Sequence, residues 1–411
     1  MTTPETPMQS NTRPVTCLLL AAVFSLAGCH ANQSVHEVNV KEANARWSNI
    51  RSEHKLQIAK QQFETGDLDQ AEKTLLEAIA ADPLNARLWS LAGRIALERG
   101  QLEKCAQRLT KAIEMDPKLP EAYYFRGIVQ QRWKQFDRAH ADYTKAYELQ
   151  ADNVNFLLAT SEMLVAMERN DEALALLESK STYFDQNAGI RVAIGQLYLL
   201  KNDFTKATEY FRQASLLRPD DLQILEDLAM ARIGARQYKD AISDLQRLIE
   251  EGRPERKVEL THLLANTYMN ADRIDDARKT YLDLTRIDRN DVDCWIKLSE
   301  ISILKEDLGA ALSAANRVIS LASHQPEGYL LAGLVWQKRK ETDKALSHFD
   351  RAAQIAPGEV DAVILRGITL EQAGRFDAAR VAYQEAVRRK PEDERAKKLL
   401  AQISRGADAQ R

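Results

Sequence analysis

The sequence lacks a long apolar run, has few cysteines and carries no excess of either charge. Its longest apolar stretch, residues 15–27, is about half of the roughly 20 residues that a membrane-spanning helix needs. The 57 Lys and Arg and the 60 Asp and Glu are interspersed, so no basic face favours nucleic acid. Only 16 of the 411 residues are Gly and 11 are Pro. The composition therefore favours an ordered soluble chain over a disordered or membrane-embedded one.

Motifs of catalysis and nucleotide binding are also missing. The sequence contains no GxGxxG, GxxxxGK[ST], HExxH or GxSxG pattern. Its seven histidines include no pair at the i, i+4 spacing of metal ligands, so we predict that they are solvated or lightly packed. We therefore predict no catalytic residue, no cofactor, no metal and no small-molecule substrate. A catalytic protein with an unrecognised site is kept as a low-priority alternative.

The N-terminal segment ends in the four residues Leu26-Ala27-Gly28-Cys29, directly after the apolar stretch. With Arg13 before that stretch, the layout is typical of a secretory signal peptide. The four residues resemble the lipobox of bacterial lipoproteins. That resemblance implies removal of residues 1–28, acylation of Cys29 and attachment to a membrane, with an ordinary signal peptide as the alternative. The next residue, His30, favours the outer membrane under the enterobacterial sorting rule.

Residues 29–46 are polar without an apolar period, so we predict a flexible tether there. From residue 47 a repeat of 34 residues begins, interrupted by one step of 36 between Ala241 and Ala277. A small residue recurs at Ala71, Cys105, Ala139, Ala173, Ala207, Ala241, Ala277, Ala311, Ala345 and Ala379. A second small residue lies twelve positions earlier, at Ala59, Gly93, Gly127, Ser161, Gly195, Ala229, Ala265, Ser299, Gly333 and Gly367.

An aromatic residue or leucine follows each member of the first series by four positions, except at Ala315, and prolines close five of the repeats. The period and these positions resemble the tetratricopeptide repeat. The resemblance implies an all-α solenoid of helix-turn-helix units, wound as a right-handed superhelix, with about ten repeats over residues 47–393. Residues 394–411 follow as a capping helix and tail, in which Ala396, Leu399, Leu400 and Ile403 share one face.

The two cysteines of the repeat region are predicted to be unpaired. Cys105 takes the place of a small residue at a helix crossing, which favours a buried and inert thiol. Cys294 lies more than five repeats further on, and in a solenoid each repeat contacts only its neighbours. We therefore predict no disulfide between them.

The resemblance places partner binding on the concave face formed by the first helix of each repeat. The inward positions that we assign to a protein- or peptide-binding groove are Tyr124, Ile128, Leu158, Glu162, Val192, Gln196, Leu199 and Met230. An apolar groove suits a peptide of another protein, although these side chains could equally pack within the superhelix. The carboxylate clamp of related co-chaperones is not expected, because Tyr124 and Ile128 occupy two of its positions.

Taken together, these features predict a non-catalytic protein-binding scaffold, lipid-anchored at the periplasmic face of the outer membrane. Its expected role is accessory to the assembly of an envelope machine for pili, secretion or exopolysaccharide export. The alternative is an adaptor or regulator that recruits a separate enzyme subunit.

Overall fold

The computed structural model describes the backbone of residues 17–409 and the side chains of residues 37–405 apart from residue 45. Residues 1–16 of the predicted signal peptide and the Cys29 side chain lie outside this part. Every regular element described is a helix. No described helix is both long enough and apolar enough to cross a membrane.

The chain divides into two compact units, residues 1–185 and 186–411. The helices of the first unit are α1 Cys17–Glu64, α2 Leu68–Ala81, α3 Ala86–Glu98, α4 Leu102–Met115, α5 Pro120–Arg132, α6 Phe136–Leu149, α7 Val154–Ala166 and α8 Asn170–Ser181.

The second unit begins with α9 Ala188–Leu200, α10 Phe204–Leu217, α11 Leu222–Gly234 and α12 Tyr238–Glu251, followed by a short 3₁₀ turn, Pro254–Arg256. It continues with α13 Lys257–Asn270, α14 Ile274–Ile287, α15 Val292–Leu304, α16 Leu308–Leu321, α17 Glu327–Lys338, α18 Thr342–Ile355, α19 Asp361–Gln372, α20 Phe376–Arg389 and α21 Glu394–Ala409. The 3₁₀ turn lies where the sequence carries its two extra residues.

Each repeat is a pair of helices that cross at the predicted small residue. A Cβ added to Gly127 would lie 2.6 Å from Cε1 of Tyr143, and one added to Gly195 would lie 2.9 Å from Phe211. The small residue therefore lets the backbones approach until the large residue of the second helix fills the space. Where that large residue is replaced by Ala315, Ser299 is buried and its hydroxyl donates to the carbonyl of Ala311, at 3.0 Å.

The two helices of a pair are joined by a residue with positive φ. This residue is glycine at Gly66, Gly100 and Gly374, with φ between 69° and 81°. At the other seven junctions a non-glycine residue takes the same conformation, at Lys134, Glu168, Asn202, Arg236, Asp272, Glu306 and Lys340. The junctions follow the 34-residue spacing and its single step of 36, which confirms the register.

Prolines end the second helices as expected. The helices α2, α4, α10, α18 and α20 each end two residues before a proline. The residue between helix and proline leaves the helical conformation, as at Asp82 with φ −141° and ψ 82°. This follows from the clash of the proline ring with a helical preceding residue.

The prediction of a flexible tether over residues 29–46 differs from the structure, in which this segment belongs to the 48-residue helix α1. The segment from residue 29 to 46 contains no proline or glycine to end a helix. The exposed pair Glu42 and Arg46, 3.7 Å apart at i, i+4, is one contact that favours its continuation. The polar composition thus agrees with the exposure of residues 37–44 but did not predict the backbone conformation.

The C-terminal helix α21 packs on the last repeat. Ile403 joins a cluster with Leu370, Ala379 and Tyr383. Ala396 is fully buried against Val363 and Ala386. The apolar face of α21 therefore packs on the apolar side chains of α19 and α20.

Candidate partner-binding surfaces

A cleft of about 260 Å³ opens between the first helices of the first three repeats, α1, α3 and α5. Glu53, Arg87 and Glu121 occupy the same repeat position, and Lys60 and Arg94 share another. Because the period aligns equivalent positions of stacked helices, these side chains lie on one face. The cleft is lined by Glu53, Gln57, Lys60, Arg87, Ser90, Leu91, Arg94, Leu119 and Glu121.

Arg94 is held between two aromatic rings at this cleft. Its guanidinium carbon lies 4.9 Å from the ring centroid of Phe63 and 4.7 Å from that of Phe125. Two stacked rings fix the planar group by cation–π attraction and leave its N–H donors at the ring edges. Within the described part of the chain, no carboxylate forms an ion pair with Arg94 or Lys60. The cleft can therefore offer a fixed guanidinium to a carboxylate of a ligand.

The two predicted groove residues of α5 are partly buried and pack against a core cluster of the first unit. The Tyr124 ring lies 5.5 Å from Tyr143 and 5.0 Å from Phe156, measured between centroids. Ile128 packs on the same cluster around Ala139 and Tyr143. Burial, with a smaller effect of Glu162, raises the pKa of Tyr124 above its ordinary value. These two side chains therefore have a packing role.

The predicted groove residues of α7 are less enclosed. Leu158 is half-buried, and Glu162 is exposed and accepts a hydrogen bond of 2.9 Å from Nε2 of Gln131. The Gln131 amide oxygen in turn accepts from the Tyr143 hydroxyl at 2.7 Å. Glu162 is thus linked through one amide to the buried tyrosine of the preceding repeat.

In the second unit the four predicted groove residues differ in exposure. Val192 packs against Ala188, Ala214 and Ile224, and Leu199 is half-buried. Gln196 is exposed, and its side chain donates to the carboxylate of Asp227, whose pKa is raised chiefly by burial. Met230 is 46% exposed. Of the eight residues, Met230 is the exposed large apolar side chain, and the assignment of all eight to a groove stays a prediction.

A larger cleft, of about 770 Å³, lies in the second unit beside the 3₁₀ turn. Its polar lining includes Arg218, Glu226, Arg253 and Arg256, over an apolar floor that contains Leu248. Arg256 pairs with Glu226 at 2.8 Å, so much of the charge is internally balanced. The insertion is visible in the sequence, but the cleft is not, because a gap between helices has no signature in a repeat pattern.

The cysteine predictions agree with the structure, whereas one histidine differs from expectation. Cys105 and Cys294 are both buried and free, and burial raises the pKa of Cys105 to about 11. Burial also lowers the pKa of His140 and His348, which are half-buried. His262, however, contacts both Asp291 and Cys294. His262 and Cys294 are 32 residues apart in the sequence. Metal-ligand motifs with short spacing therefore do not predict this contact.

Stacked helix pairs with small residues at the crossings define a helical repeat protein. Three models described as tetratricopeptide repeat match residues 56–120, then 120–153 and 188–221, and finally 232–301 and 337–403. These ranges together take in more than half of the chain. The chain belongs to the tetratricopeptide repeat family, and its fold is an all-α solenoid of such repeats.

Among curated proteins, the chain is similar to lipopolysaccharide assembly protein B of Escherichia coli strain K12. The two are 23% identical over 53% of this chain and 56% of that protein. It is also 23% identical to the human protein O-mannosyl-transferase TMTC1, over 52% of this chain and 24% of that protein. The chain spans between 24% and 56% of the length of the curated relatives named here.

Among solved structures, a tetratricopeptide repeat protein from Parabacteroides merdae aligns with 78% of this chain and 99% of its own. The TM-score is 0.43 at 14% identity.

Proposed function

We propose that this protein is a non-catalytic scaffold of the cell envelope that binds an acidic segment of a partner protein in the cleft between α1, α3 and α5. Tetratricopeptide repeats mediate protein–protein interactions, and the matching family models cover repeats alone. The observation that carries the proposal is Arg94, whose guanidinium is fixed between two rings without a carboxylate partner. A partner carboxylate would supply the missing charge and accept its N–H donors.

The proposed place of action is the periplasmic face of the outer membrane, with the chain held by acyl groups on Cys29. The resemblance of residues 26–29 to a lipobox supports this proposal. Two or more acyl chains are needed, since one chain of buried CH₂ groups at about 0.8 kcal/mol each holds a protein only marginally. The name of the E. coli relative, an assembly protein for lipopolysaccharide, supports a role in building the envelope.

The partner site is tested by photo-cross-linking in intact cells. A photoreactive residue at Gln57, exposed in the cleft, is expected to capture one envelope protein, and the same residue at Lys104, exposed on α4, is not. Arg94→Gln should remove the cross-link. Lys111→Gln, which removes a cation stacked on Trp89 at 3.8 Å, is the matched control and should keep it.

Equal capture from Gln57 and Lys104, or capture that survives Arg94→Gln, would refute the cleft as the binding site. The captured protein also separates the two functional interpretations. A structural subunit of an envelope machine supports the scaffold, whereas an enzyme subunit supports the adaptor.

The anchor is tested by labelling cells with palmitate and separating membranes. We expect label in the wild type and in Cys105→Ser, which alters a buried thiol of the repeats. Cys29→Ser should carry no label and move to the soluble fraction. A wild-type chain without label would refute the lipid anchor while leaving the partner site untouched.

A further inference from the structure

Three side chains with metal-binding atoms meet between α13 and α15, the first helices of two neighbouring repeats. Nε2 of His262 lies 2.8 Å from Oδ2 of Asp291. Sγ of Cys294 lies 3.9 Å from Nε2 and 4.0 Å from Nδ1 of the same ring. The three ligand atoms all lie within 4.8 Å of one another. An imidazole, a carboxylate and a thiol are thus brought together without belonging to the cleft described above.

The local structure holds these groups in place. Asp291 is the N-cap of α15, and its Oδ1 accepts a hydrogen bond of 3.0 Å from the backbone N–H of Cys294. One carboxylate oxygen of Asp291 thus caps the N-terminus of α15, and the other faces His262. His262 lies three residues before the crossing residue Ala265, which fixes the position of α13 against its own partner helix.

We propose that His262, Asp291 and Cys294 form a binding site for Zn²⁺ that clips α13 to α15. Zinc takes imidazole nitrogen, carboxylate oxygen and thiolate sulfur at about 2.0 to 2.3 Å, most often in a tetrahedron. In such a tetrahedron the ligand atoms are about 3 to 4 Å apart. The N···O and N···S distances of 2.8 and 3.9 Å require only small shifts to reach it. Three protein ligands leave a fourth position for water or for a side chain of a partner.

The charges and protons balance on binding. The hydrogen bond between His262 and Asp291 is exchanged for two bonds to the metal. Nε2 gives up its proton to solvent while Nδ1 takes one up, so the imidazole stays neutral, and the thiol proton of Cys294 is released to solvent as the zinc–thiolate bond forms. One thiolate and one carboxylate then neutralise the two charges of the cation, so the buried site carries no net charge.

Exposure also suits a metal site. Cys294 is fully buried, which protects a thiolate bond, whereas the His262 and Asp291 side chains are 27% and 19% exposed and give the ion a path from solvent. The other explanation is that the Asp291–His262 hydrogen bond merely joins two helices. The following measurements distinguish a metal site from such a structural contact.

The first test is a titration of the chelator-treated full chain with zinc sulfate, followed by thermal unfolding. We expect the midpoint to rise with zinc. Asp291→Asn should weaken zinc binding by about 10-fold or more, since loss of groups that only support a metal ligand already costs that much. Asparagine keeps the N-cap, so this variant is expected to fold. Asp307→Asn, which alters an N-cap with the same geometry on α16, is the matched control and should bind as the wild type does.

The second test replaces zinc with Co²⁺, whose bond to a thiolate gives an absorption band in the near ultraviolet. The band is expected in the wild type and in Cys105→Ser, and it should disappear in Cys294→Ser and His262→Asn. A band that survives Cys294→Ser would place the metal on another cysteine and overturn the proposal. So would a wild-type midpoint unchanged by zinc, or an equal response of Asp291→Asn and the wild type.

Discussion

A missing Cβ sets the approach of the two helices at several repeat crossings. A Cβ on Gly333 would lie 2.5 Å from Cε1 of Phe349, which is fully buried and has no room to retreat. We therefore expect Gly333→Ala to lower the free energy of unfolding by about 1 to 3 kcal/mol, the usual cost of overpacking. Gly358→Ala is the control, because nothing lies within 4 Å of its added Cβ. Chemical denaturation measures both, and equal stability of the two variants would contradict the crossing geometry.

Packing and binding roles can be separated among the predicted groove residues. Tyr124 lies among three aromatic rings, so Tyr124→Ala should cost about 3 to 5 kcal/mol of stability. Met230 is 46% exposed, and Met230→Ala should change stability by less than about 0.5 kcal/mol. Thermal unfolding, measured without any partner, checks both. A small loss of stability in Tyr124→Ala would contradict the packing role and support the assignment of Tyr124 to the binding groove.

Single residues also show which features of the structure could be predicted from the sequence and which could not. Spacing alone identified the crossing residues, because each must be small in every repeat. The junction residues were missed, since only three of the ten are glycine and the others, such as Lys134 at φ 58°, carry no signal of a left-handed conformation. The ring sandwich around Arg94 was missed as well. Its members come from three helices, and a pattern within one repeat does not show that they meet.

At the scale of an element, the capping helix α21 covers the end of the stack with a few apolar side chains. Ile403 is 7% exposed in a cluster with Leu370 and Tyr383. We expect Ile403→Ala to cost about 2 to 5 kcal/mol in the last repeat. Val381→Ala on α20, where the side chain is 59% exposed, is the control. Hydrogen exchange of α20 measures the effect, and unchanged protection in Ile403→Ala would show that α21 does not cap this end.

The two terminal helices differ in how far they could be predicted. The apolar face of α21 repeats every three to four residues, which predicts a helix and also the side that packs. The first part of α1 lacks that signal, because its side chains from residue 37 to 44 are exposed. A helix that buries no face leaves no apolar period, and its polar composition resembles that of a tether.

At the scale of the whole molecule, stability is expected to be divided among neighbouring repeats. Each helix packs chiefly on elements next to it, or next but one, in the chain. The two compact units, residues 1–185 and 186–411, follow from this local packing. A chain built in this way does not transmit the loss of one contact along its full length.

A buried ion pair in the first unit allows that expectation to be tested. Arg126 and Asp142 join α5 to α6 through two hydrogen bonds of 2.7 and 2.8 Å, with side chains 22% and 9% exposed. Asp142→Ala leaves the guanidinium without its carboxylate partner and with only the hydroxyl of Thr110, at 3.3 Å, as an acceptor. Breaking such a pair costs about 3 to 5 kcal/mol. Glu172→Ala is the control, because its pair with Arg169 is exposed and solvent screens the attraction between the two charges.

Hydrogen exchange followed by mass spectrometry measures the loss of protection separately for each helix. In Asp142→Ala we expect faster exchange in α5, α6 and the helices next to them, and unchanged protection in α19 and α20 of the second unit. Local packing predicts this decrease of the effect with distance along the chain. A lost contact raises the opening rate only of the helices that pack on the altered pair. Faster exchange of equal size in both units would mean that all repeats unfold as one cooperative body, and the division into two units would then have no energetic meaning.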